Sequence, residues 1–266
     1  MSNNPEEYCR QKIAAAGTSF YYSTLYFPEE IKRQLYPLHA FAAELEEIIT
    51  ECPDPGIARI KLGWWLEETQ RLKNGIARHP VTKQLLEHKI CCPENEAFMV
   101  KLIRHYEQQI NMEAPENYQS LVTFLNDGPG LLWELSAKIC NPHLVETPGI
   151  VSFLGSQFGW FQVLQNTYDN LQKNRNYWPR DEISVPGEEN KFYAFQIRRL
   201  LQELEEGLRR IAEIDRGKLL HALIMARIII RTCEEIGKSG YHLDREKITL
   251  TPFRKLWIAW RTYRKT

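Results

Sequence analysis

Glu46 and Glu47, with Thr50 and Glu51 one turn further on, are the residues whose types and spacing could hold a metal ion. Carboxylates four residues apart on a helix share a face, and their oxygens suit a hard cation such as Mg2+. Three aspartates at i, i+1 and i+4 would read as a magnesium–diphosphate site; at that spacing this chain offers Glu46, Glu47 and Thr50. Glu46 and Thr50 leave one carboxylate on their face. Glu47 and Glu51 restore an i,i+4 pair, rotated by about 100° around the helix. Two readings stand: a magnesium site of altered geometry, or a solvated acidic helix face.

Other chemistries find little support. The seven histidines are scattered and form no metal pair, and the six cysteines show no C-x-x-C spacing. The thiols are read as reduced, including the vicinal Cys91-Cys92, which suits a cytoplasmic protein. No P-loop, dinucleotide fingerprint, nucleophile elbow or nucleic-acid motif is present. Formal net charge is zero, so no global field favours nucleic acid. No apolar run approaches the ~18–20 residues of a membrane span, and the polar, acidic N-terminus is no signal peptide.

The elements that must position these residues are helices. Apolar residues recur at three and four over 6–16, 28–50, 55–75, 95–113, 149–173, 192–215, 217–237 and 253–264, and strand alternation is almost absent. Pro53-Asp54-Pro55-Gly56 separates two helices, Gly128-Pro129-Gly130 interrupts the middle of the chain, and Thr147 is a candidate N-cap before Pro148. Pro179, Pro186 and Gly187 mark a loop. Trp64 and Trp65 cannot both face a core from one helix. The pattern predicts one all-α domain, 1–266, of about eight to ten helices.

Several stretches carry a resemblance: Tyr8-Cys9-Arg10-Gln11-Lys12, Gly17-Thr18-Ser19-Phe20-Tyr21-Tyr22, Asp54-Pro55-Gly56-Ile57-Ala58-Arg59, Leu62-Gly63-Trp64-Trp65-Leu66-Glu67-Glu68, His79-Pro80-Val81 and the run from Leu250 to Trp260. In that order they make the chain similar to the squalene/phytoene synthase family, and most of all to the presqualene diphosphate synthases of bacterial hopanoid pathways. The resemblance implies an isoprenoid synthase fold, helices around a central cavity, and head-to-head condensation of two farnesyl diphosphates. It implies Mg2+ held by two aspartate-rich motifs; the ion offsets leaving-group charge.

Carried over residue by residue, the resemblance fails at the chemistry. In the first motif the Arg position is Ala43, the paired aspartates are Glu46 and Glu47, and the last is Thr50. In the second, Gln162 matches, Gln165 replaces Asn, Tyr168 replaces Arg, Asp169 matches the first aspartate, and Lys173 replaces the second. An alternative register sets Asn166 and Asn170 on the Asn and first Asp. Tyr177-Trp178-Pro179 matches the following loop. Usual tyrosines fall on Phe124 and Ile229, a usual glycine on Trp133, where it should fill part of the substrate tunnel, and an arginine on Lys247. The implied catalytic residues are Glu46, Glu47 and Asp169, with Glu51 added as a metal ligand; the implied substrate-binding residues are Ser19, Phe20, Gln162, Asn166, Tyr177 and Lys247.

Residues 253–265 place Phe253, Leu256, Trp257, Trp260 and Tyr263 beside Arg254, Lys255, Arg261, Arg264 and Lys265. That composition fits a helix lying on an anionic membrane from the cytoplasmic side, and equally a terminal helix packed on the domain. Three functions remain open: a prenyltransferase, a non-catalytic isoprenoid-binding or assembly protein with a protein partner (the family has a complex I assembly branch), and a prenyl diphosphate phosphatase.

Overall fold

The computed structural model describes residues 4–90, 93–110, 112–141, 148–173, 175–182, 187–211, 213–245 and 247–266. Among them regular structure is helical and no strand occurs. Contacts gather the helices into two compact units, Met1–Asn111 and Met112–Thr266. The first holds α1 (Pro5–Ile13), α2 (Ser19–Thr24), α3 (Glu29–Glu51), α4 (Pro55–Lys73), α5 (Pro80–Glu87) and α6 (Pro93–Gln109). The second holds α7 (Tyr118–Leu125), a π-helical turn (Asn126–Gly130), α8 (Leu131–Cys140), α9 (Pro148–Gln165), α10 (Thr167–Gln172), α11 (Glu189–Arg210), α12 (Glu213–Arg216), α13 (Leu220–Lys238) and α14 (Pro252–Tyr263). Among the described residues no helix is long and apolar enough to cross a membrane, and the four described cysteines are unbridged. Thr147, Cys91-Cys92 and Pro186 lie outside the described residues.

Local chemistry sets the helix starts. Asn4, Thr18, Asp54, Asn117 and Thr251 each accept a first-turn N–H through a side-chain oxygen, and His79 does so through Nδ1. Proline occupies the first turn of α1, α4, α5 and α14, where its missing N–H costs nothing. Two expectations are corrected. The run 149–173 is not one helix: α9 ends at Gln165, Asn166 breaks it, and α10 follows. Gly128-Pro129-Gly130 does not interrupt the chain either. The helix passes through it as a π turn, the wider form in which one extra residue is accommodated.

The second unit is built around α9, which is buried over most of its surface; Val151, Leu154, Phe158, Trp160 and Leu164 are all buried. Its closest neighbours are the π turn and α8. Two glycines allow this. A Cβ on Gly155 would lie 2.7 Å from Trp133 Cβ and 2.8 Å from the Pro129 carbonyl oxygen, and one on Gly159 would lie 2.6 Å from Pro129 Cγ. The Ser152 hydroxyl also donates to Asn126 Oδ1 at 2.8 Å, tying α9 to the start of the turn.

In the first unit, α1, α3 and α5 pack together and α6 packs on α3 and α4. Glu68 of α4 is fully buried. It accepts the N–H groups of Arg78 (2.7 Å) and His79 (2.9 Å), the Thr82 hydroxyl (2.5 Å) and Arg71 Nε (2.6 Å). Burial pushes its carboxyl up, but the donors from Thr82, Arg71, His79 and Arg78 outweigh burial and bring it down to about 2. His79 packs against Trp65, ring centres 4.7 Å apart, and Trp65 is buried while Trp64 is exposed under Arg71. The stretches 62–68 and 79–81 are thus one framework joining α4 to α5.

Glu68→Ala should lower unfolding stability by about 3–5 kcal/mol, because it takes from Arg71 its nearer carboxylate and leaves two partly buried N–H groups without their acceptor. The folded carboxyl lies below its ordinary 4.5, so its contribution is complete above that pH and is lost as pH falls toward about 2. That loss is on the order of 3 kcal/mol. Urea titrations of both proteins between neutral and acid pH measure it; equal stability at neutral pH would show the network carries nothing net.

Candidate functional site

The acidic end of α3 is held by α1. Glu44 and Glu47, three residues apart, face that helix. Lys12 Nζ lies 3.1 Å from Glu44 Oε1 and also forms an ion pair and hydrogen bond with Glu47 Oε2. The Tyr8 hydroxyl donates to Glu44 Oε1 at 2.6 Å. Burial first, then this bond to Glu44, push the Tyr8 hydroxyl well up, so it stays a donor. Burial pulls the Lys12 ammonium down, but its bonds to Glu47 and Glu44 outweigh that and raise it, so it is charged at neutral pH. The pairing has a physical reason. Carboxylates in the last turns of a helix meet the negative end of its dipole, and α3 has no basic residue there. Lys12 supplies the missing cation from another helix.

Of the predicted first-motif residues, Glu46 is half-buried and Glu51 is exposed at the helix end. The Thr50 hydroxyl donates back to the carbonyls of Glu46 (3.0 Å) and Glu47 (3.4 Å), a common role for threonine inside a helix. Ser19 begins α2 and Thr18, not Ser19, is its cap. Phe20 packs on the buried His39, ring centres 4.6 Å apart. Burial pulls the His39 imidazole down to about 3.

In the second unit Gln162 is exposed on the last turn of α9, and Asp169 is exposed on α10, past the break. Asn166 sits at that break and accepts Lys247 Nζ at 2.8 Å, so two of the expected substrate-binding residues do meet. Asn170 Nδ2 donates to the Val163 carbonyl at 3.4 Å and closes the break from the other side. Tyr177 is buried in the core rather than presented at a surface. Trp178 stands edge-on to Trp160 (5.4 Å) and Phe192 (4.9 Å), which anchors the Tyr177-Trp178-Pro179 loop. Trp133 is buried, edge-on to Phe158 at 4.6 Å and stacked on His221 at 4.3 Å. The space left against it is about 10 Å3. That barely admits one water molecule, where a small-molecule pocket takes ~300 Å3 or more.

A model of the squalene/phytoene synthase family matches residues 13–254. The chain belongs to that family. Among solved structures, it is similar to squalene synthase HpnC from Alicyclobacillus acidocaldarius, with 16% identity, a TM-score of 0.73 and coverage of 89% of this chain and 94% of that one. It is similar also to a dehydrosqualene synthase in complex with ligand, with 16% identity, a TM-score of 0.80 and coverage of 98% and 96%. At such identity the likeness is one of fold. No curated protein matches the sequence.

The magnesium ions that the family implies fit these residues poorly. An ammonium stands against Glu47, and like charges exclude one another. Among the described residues no three or more His, Cys, Asp or Glu side chains converge as a metal site. Sequence reasoning overlooked Lys12 and Glu44 as partners. The i,i+3 spacing of Glu44 and Glu47 was the available signal, but nothing in the spacing tells which cation, 35 residues away, answers it.

The pair is testable by a double-mutant cycle of Lys12→Met and Glu47→Gln in urea unfolding. A coupling of about 1 kcal/mol is expected for a half-buried pair. Additive effects would show that the two charges do not interact.

Proposed function

We propose that this chain keeps the fold of its family but has lost most or all head-to-head condensation, and that it binds an isoprenyl diphosphate or a related apolar ligand without joining two of them. The observation that carries this reading is the Lys12 ammonium between Glu44 and Glu47. Departure of diphosphate from a prenyl chain requires its developing charge to be offset, and in this family the implied agent is a cation held by carboxylates. Here one carboxylate of the motif, Glu47, is paired with a lysine that also holds the neighbouring Glu44. The second motif supports the same reading: one carboxylate, Asp169, remains, on a short helix beyond a break. Trp133 supports it as well, because its indole fills space within the second unit that a glycine would leave open. Lys247 and Asn166, joined at 2.8 Å, are the groups best placed to receive a phosphate oxygen. A lysine offers a point charge there, not the two-pronged grip of arginine.

Purified protein incubated with farnesyl diphosphate and Mg2+ should yield no thirty-carbon product, while farnesyl diphosphate should raise the melting temperature equally with and without Mg2+. A thirty-carbon product formed over many turnovers would overturn the reading. Phosphate release without a joined product would point to a prenyl diphosphate phosphatase instead.

A further inference from the structure

Helix α14 is amphipathic the wrong way round for a helix packed on a core. The side it buries carries Lys255, Ala259 and Thr262, while Phe253 (77% exposed), Trp257 (53%), Tyr263 (48%), Trp260 (39%) and Leu256 (38%) face outward. The helix is held in this pose. Thr251 caps it, Pro252 starts it, and Arg254 donates to Glu235 of α13 at 2.9 Å. Trp257 and Trp260 lie against each other, ring centres 4.9 Å apart, so the aromatics form one patch.

Beside this patch runs a groove of about 1010 Å3, lined by α11, α13 and α14. Its apolar floor includes Leu208, Ile230 and Ile258, and its rim carries seven cationic residues against two acidic ones. Some of the cations are paired, Arg231 with Glu234 at 2.5 Å for example. Arg227, Arg261 and Lys265 form no ion pair among the described residues. Arg227 is crowded by its own kind: after burial, the guanidinium groups of Arg216, Arg261 and Arg231 push its pKa down. Like charges brought together in a groove repel at a cost, and an anion placed among them removes that cost.

We propose that the α13–α14 groove receives the phosphate headgroup of an anionic phospholipid and seats α14 flat on a membrane surface, Phe253, Trp257, Trp260 and Tyr263 entering the interface. Charge complementarity selects the occupant. A neutral apolar partner would leave Arg227, Arg261 and Lys265 uncompensated, and a soluble anion would leave five large apolar side chains in water. A lipid of negative charge answers both, and tryptophan and tyrosine flanked by arginine and lysine are the residues that settle at the headgroup level. The inference stands whether or not condensation survives.

Co-sedimentation with vesicles tests it, using phosphatidylcholine alone and phosphatidylcholine containing phosphatidylglycerol. The protein should bind the anionic vesicles at least about tenfold more tightly, and less so as salt rises. Arg227→Gln and Arg261→Gln should each weaken binding by about fivefold, and Trp257→Ser with Phe253→Ser should abolish it at low salt. Unchanged melting temperatures would confirm that these exposed changes leave the fold intact. Millimolar inorganic phosphate should not compete; full competition would reassign the groove to a free anion. Equal binding to neutral vesicles would overturn the role of the arginines. No vesicle binding, with a dimer in sedimentation velocity that Trp257→Ser dissolves, would make a second copy of this chain the occupant.

Discussion

A helix with apolar side chains on most of its faces must be surrounded, and in Met112–Thr266 that helix is α9. Most of the helices in this unit answer its burial. The π turn and α8 cover one side, with Pro129 and Trp133 seated over Gly155 and Gly159. α11 and α13 cover others with their own apolar stripes. Full burial of a side chain such as Leu154 or Phe158 is worth about 1.5–3 kcal/mol, so a change that uncovers α9 is felt throughout the unit. This explains how the fold can hold independently of the residues at any reacting position. The fold depends on covering α9 and, in the other unit, on satisfying Glu68. Neither condition refers to a substrate.

Much of this was legible in the sequence. The long helices follow the three-and-four recurrence, and the starts at Pro55 and Pro252 follow from a capping side chain before a proline. Part of the framework was legible too. Glu68, Trp65 and His79 match the family and turn out to hold α4 and α5 together, while Ala43, Thr50 and Lys173 do not match. Two local features misled. Gly-Pro-Gly reads as a stop because proline lacks a donor and glycine loosens the chain, yet the wider turn accepts both when the proline ring can dock on a glycine across the interface. The run 149–173 keeps a helical period through Asn166, but period reports which faces are apolar, not whether the backbone stays regular.

What the sequence could not convey is partnership at long range. Lys12 and Glu47 are distant in the chain, and no spacing rule connects them. A single sequence presents Glu46, Glu47 and Glu51 as equivalent acids. Only the packing of α1 on α3 separates Glu47, which has its cation, from Glu51, which faces solvent. The same holds for α14. Its aromatics and cations are plain in the sequence, but only the fold tells which of them face outward.

The π turn has one more consequence, for how the chain can change by insertion or deletion. α7 and α8 flank it as one rod, and the width of the turn sets their relative phase. Removing one residue together with the π turn would leave the phase of α8 nearly unchanged, whereas tightening the turn to ordinary α-helix with all its residues kept would rotate α8 by about 100° relative to α7. Trp133 would swing off Phe158 and His221, and Pro129 would leave Gly159. The indole that fills this core is therefore held there as much by the width of the turn ahead of it as by its own side chain.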